Sequence, residues 1–112
     1  MKLSETLPEF STELRELLIK VGREDIAVQV GEVEFERYSY DDSCDAASIF
    51  VQSPRELNVV EKNIIGVKYE ESVSVDHPYL VNVDIDNFGR LRAIELLKGS
   101  KIARILSKML NS

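Results

Sequence analysis

GEVEFERYSYDDSCDAASIFVQ, Gly31 to Gln52, contains two strand-like runs separated by one short acidic turn. VEFERYSY at 33 to 40 is rich in β-branched and aromatic residues with period-two alternation, and AASIFVQ at 46 to 52 reads as a second strand entered through the DDSC turn. Strands joined by so short a link pair as antiparallel neighbours.

Upstream, IAVQV at 26 to 30 also reads as strand. Only Gly31 and Glu32 separate it from the next run, so the two form one bent strand or two short ones. Before it, Thr6-Leu7-Pro8-Glu9 has the form of a capping box, and Leu7, Phe10, Leu14, Leu17, Leu18 and Val21 recur at helical spacing until Gly22. The spacing predicts an amphipathic helix over 7–21.

Downstream, LNVVEKNIIGVKYEESVSV at 57 to 75 reads as two strands broken near Lys62 and Asn63, followed by a DHP turn at 76 to 78. YLVNVDID at 79 to 86 and RLRAIELL at 90 to 97 are two more, joined by the tight Asn87-Phe88-Gly89 link. Ser100 is placed to cap a last helix in which Ile102, Ile105, Leu106, Met109 and Leu110 form one face.

The expected fold is α+β, one domain spanning 1–112. An N-terminal helix lies within 1–22, an antiparallel meander of about five to six strands fills 26–97, and an amphipathic helix occupies 100–110. Helices cover one face of the sheet, and the other is left to water or to a partner.

Twenty acidic and fourteen basic residues give a net charge of -6. That balance disfavours direct binding of nucleic acid or an anionic membrane surface and makes a basic protein the natural large partner. The charge is also polarised: residues 31–45 hold six acids against Arg37, while 90–108 hold six bases against Glu95.

Glu32, Glu34 and Glu36 stand at alternate positions and are expected to share one strand face, opposite Val33 and Phe35. Together with Asp41 and Asp42 they are the candidate electrostatic patch for a basic partner, with Tyr38 and Tyr40 as candidate anchors. The simpler reading is the solvated side of an amphipathic strand. Lys101, Arg104 and Lys108 likewise read as a solvated helix face, without interleaved aromatics on which bases could stack.

Catalytic signatures are missing. Cys44 is the one cysteine, it sits beside Asp45 where a thiolate is disfavoured, and the lone His77 is far off in sequence. The adjacent pairs Glu70-Glu71 and Asp41-Asp42 make poor acid/base couples, because neighbours on a strand point apart. There is no glycine-rich phosphate loop, paired-cysteine metal motif, HExxH or GxSxG. A non-enzymatic protein without cofactor or metal is expected. With no signal-peptide pattern and only short apolar runs, a cytoplasmic location and no membrane association are expected too.

DIDNFGRLRAIE, Asp84 to Glu95, mimics a calcium loop but places Phe88 and Arg92 where oxygen ligands belong. Its β-rich context predicts a hairpin instead, in which Asp86 accepts backbone N–H bonds and Gly89 supplies a positive φ.

Tyr40, Asp41, Asp45, Ala46 and Ile49, then Asp84, Asp86, Gly89, Ile94 and Glu95, give the chain motifs over about half its length. In them it resembles a family of short bacterial and phage-associated proteins classed as a domain of unknown function. The resemblance implies the hairpin architecture and no particular activity.

The expected function is a small acidic protein-binding module of the immunity or antitoxin type, blocking a basic toxin such as a nuclease by occluding its active site. The alternative is a structural or regulatory module that self-associates, for instance as a homodimer.

Overall fold

A computed structural model describes residues 1–76, 80–98 and 100–110, with side chains up to Lys108. The elements are α1 (Leu3–Thr6), α2 (Pro8–Lys20), α3 (Glu24–Val30), β1 (Glu34–Asp41), β2 (Ala46–Gln52), a single π-helical turn (Glu61–Ile65), β3 (Tyr69–Asp76), β4 (Leu80–Asp86), β5 (Leu91–Leu97) and α4 (Ser100–Leu110). The fold is α+β with one five-stranded antiparallel sheet. His77, Pro78 and Tyr79, on which the expected turn and the start of the next strand fall, lie outside the described residues, as do the side chains of Met109 and Leu110.

Strand pairing departs from a sequential meander: the order is β1-β2-β5-β4-β3. The chain leaves β2, crosses to the far edge, and returns through β3 and β4, so that β5 fills the gap beside β2. Alternation along the strands sorts the two faces. Ala47, Ile49 and Val51 of β2, Val81, Val83 and Ile85 of β4, and Leu91, Ile94 and Leu96 of β5 are all buried in one core. Against them pack Leu3, Phe10, Leu14 and Leu18 from α1 and α2, Ile26 and Val30 from α3, and Ile102 and Leu106 from α4. The result is two layers with every helix on one side.

Two expected strands are not strands. IAVQV lies in α3, where Ile26, Ala27 and Val30 are buried and Val28 faces out. That i, i+1, i+4 stripe is helical, and Glu24 and Asp25 in the first turn suit a helix start. Packing against the sheet has overridden the β-propensity of three β-branched residues in five.

The first half of 57–75 is also not strand. It belongs to a crossover over 53–68 that contains the π-helical turn and carries the chain from β2 to β3 at the far edge of the sheet. Asn58 and Glu61 stabilise it by exchanging bonds between side chain and backbone N–H, at 2.9 and 3.1 Å. The α2 start differs too: Thr6 donates its hydroxyl to Lys2 O rather than capping Pro8–Lys20, which begins with Pro in its first turn.

The β4–β5 turn anchors the crossover. Asn87 exchanges bonds of 3.0 Å with the backbone of Lys68 and donates Nδ2 to Gly66 O at 3.0 Å. Asp86 organises the turn as the sequence predicts. Its Oδ1 accepts from Phe88 N and Arg90 N at 2.9 and 3.0 Å, its Oδ2 accepts from Arg90 Nε at 2.9 Å, and Gly89 has φ +75°.

Candidate interaction surface

The seven residues expected to form a partner-binding patch are not brought onto one surface. Glu32 lies in the turn before β1, not on the strand. Register slips between Phe35 and Arg37, which makes Glu36 the extra residue of a β-bulge. Glu34 pairs with the Met1 ammonium at 2.9 Å.

Tyr38 and Tyr40 stand opposite Ile49 and Ala47 and so belong to the helix-covered side. The Tyr38 and Ser107 hydroxyls share a bond of 3.1 Å, tying β1 to α4. Tyr40 donates to Asp45 Oδ1 at 2.7 Å, and the same oxygen accepts from Ser100 N at 3.1 Å at the start of α4. That contact with Tyr40 is the main reason the Asp45 carboxyl sits below its usual range, and it raises the Tyr40 phenol in return. Asp41 accepts from Ser43 N and Oγ at 3.0 and 2.6 Å in the β1–β2 turn, while Asp42 is exposed beside it. Most of the set therefore serves the fold.

Acidic character reappears on the uncovered face of the sheet. One cross-strand row there reads Ser74, Asn82, Glu95, Ser48, Ser39, and the next reads Ser72, Asp84, Ala93, Phe50, Arg37. Small polar residues keep the face low, and Glu95 and Asp84 stand diagonally near its middle. Desolvation first, and then the Asp84 charge, push the Glu95 carboxyl above its ordinary value. At the β1 edge Arg37 lies over the Phe50 ring, 3.9 Å from its centroid.

The crossover and the first residue of β3 carry a second exposed feature. Val59, Val60, Ile64, Ile65, Val67 and Tyr69 are all substantially exposed, Ile64 at 76% and Val59 at 71%. Six large apolar side chains in eleven positions, none of them in the core, form an apolar lobe at one end of the sheet. Its signal in the sequence is the pairing of aliphatics at 59–60 and 64–65, which fits neither a period of two nor a helix stripe. Reading the segment as strands hid it.

No protein-family model, curated protein or solved structure matches this chain.

Among the described residues no group of three or more His, Cys, Asp or Glu is placed to hold a metal ion, and no helix is long and apolar enough to cross a membrane. Cys44 is exposed in the β1–β2 turn, its thiol 3.9 Å from Asp41 O.

Proposed function

We propose that this protein is a binding module for a basic protein partner, without enzymatic activity, in which the apolar crossover supplies contact area and the acidic uncovered sheet face supplies charge selection. The observation that carries the reading is the crossover lobe. Exposed aliphatics in such density cost solubility and have no role in the core, which is the signature of a surface that is covered when in use.

Charge complementarity chooses the partner's sign: Asp84 and Glu95 lie on a face whose middle already disfavours an ionised Glu95, and a partner cation relieves that cost. The immunity or antitoxin role is the specific form of this proposal, since a nuclease toxin is basic where it holds nucleic acid. Self-association through the β3 edge is the weaker reading. It would bring Glu70, Glu71 and Asp76 of two copies together.

The test is a pull-down at low salt from the source cell, comparing wild type with an Ile64→Asp/Ile65→Asp variant and an Asp84→Lys/Glu95→Lys variant. A basic protein recovered in near-equal amount by wild type, lost with the first variant and weakened with the second, supports the proposal. Equal recovery by all three, or recovery of the protein alone, overturns it.

A further inference from the structure

Beneath the crossover lies a cleft of about 440 Å³, walled on its other side by the end of β2 and the start of β5. Within a chain of net charge -6 it gathers four cations, Arg55, Lys62, Arg90 and Arg92. Two of them are already engaged. Arg90 donates Nε to Asp86, with Nη1 to Arg55 O at 3.2 Å, and Arg55 donates Nη1 to Phe88 O at 2.7 Å and Nη2 to Glu61 at 3.3 Å.

Lys62 and Arg92 form no ion pair with any described residue. Arg92 is the more telling. Its Nε is shut off from solvent and has no hydrogen-bond partner, a condition that native proteins rarely leave uncompensated. Arg92 is also the extra residue of the bulge between Leu91 and Ala93, so the central strand departs from regular pairing where this guanidinium meets the cleft. Bulges of this kind re-aim side chains at sites.

The cleft's one acid is Glu56, and Leu57 and Val67 give it an apolar wall. Its volume falls within the range of small-molecule sites, well above the needs of a bare inorganic anion. We propose that the cleft binds a small organic anion, whose phosphoryl or carboxylate oxygens pair with the Arg92 guanidinium and neutralise Lys62 while its body lies against Leu57 and Val67. Guanidinium groups suit both head groups because their planar donors match two oxygens at once. The inference is independent of the protein-binding reading.

Phenyl phosphate and benzoate are the probes, with inorganic phosphate and sodium chloride at matched ionic strength as controls. At ten times its dissociation constant a single-site ligand raises the melting temperature by about 5 °C for a domain of this size. One or both organic probes should do so, the stronger naming the head group, and Arg92→Met and Lys62→Gln should each reduce the rise at least by half. If Arg92→Met does not fold, Lys62→Gln carries the comparison, read also from amide chemical shifts at Gln52 and Val67. No rise with either organic probe, a rise matched by inorganic phosphate, or an equal rise in every variant overturns the proposal.

Discussion

Asp86 shows how one side chain sets a turn. Its side chain is fully buried, Arg90 opposite it is 10% exposed, and all three of its bonds are made inside the β4–β5 link. Asp86→Ala leaves a buried guanidinium without its carboxylate and two backbone N–H groups unpaired, and should cost about 3–5 kcal/mol in urea denaturation. Because both oxygens are engaged, millimolar calcium should leave the melting temperature unchanged. These roles are legible in the sequence since they depend on neighbours within four positions. The fate of Glu32, Glu34 and Glu36 is not, because the bulge at Glu36 is set by how β1 registers on β2. Glu95 offers a second test at this scale. Its folded carboxyl is raised above the ordinary 4.5, so its ionisation costs stability at neutral pH and none below the unfolded value. Glu95→Gln should therefore raise the melting temperature at pH 7 by about 2 °C, with the gain vanishing below about pH 4.

At the scale of elements, the helices flanking the sheet were readable where their stripes are long. The α2 stripe runs over three turns and α4 repeats Ile102 and Leu106 at the core. Seven-residue α3 has too few turns to display its period, and its Ile and Val content points to a strand. Leu106→Ala should cost about 2–5 kcal/mol by chemical denaturation, since its side chain is fully buried against the sheet. Tyr38→Phe should cost about 1 kcal/mol by loosening α4 from β1. Between α2 and α3, Arg23 donates to Glu71 of β3 at 2.7 Å and to Asp25 at 3.2 Å. Those bonds hold both carboxyls below their ordinary values of 4.5 and 3.8. Their contribution is present above those values and lost as pH falls through the folded ones. Arg23→Met should thus be less stable than wild type at pH 7, and the gap should narrow as pH falls below the ordinary 3.8 of Asp25.

For the whole molecule, the α+β class and the two-faced sheet follow from periodicity and composition, whereas strand order does not. Nothing local in RLRAIELL says that it pairs with AASIFVQ, some forty residues earlier, as well as with its hairpin neighbour. The exposure of the crossover aliphatics is equally non-local, since it depends on the path the chain takes from β2 to the far edge of the sheet.

The position of β5 has a consequence for the growing chain. Emerging from the ribosome, residues 1–76 and the start of β4 hold two sheet fragments with no hydrogen bonds between them, since β5 alone bridges β2 and β4. The sheet closes only after Leu97 has been made, so its five strands cannot assemble one after another as they emerge. A nascent chain stalled before residue 90 should be open to protease throughout β1 and β2, and one released after α4 should be protected.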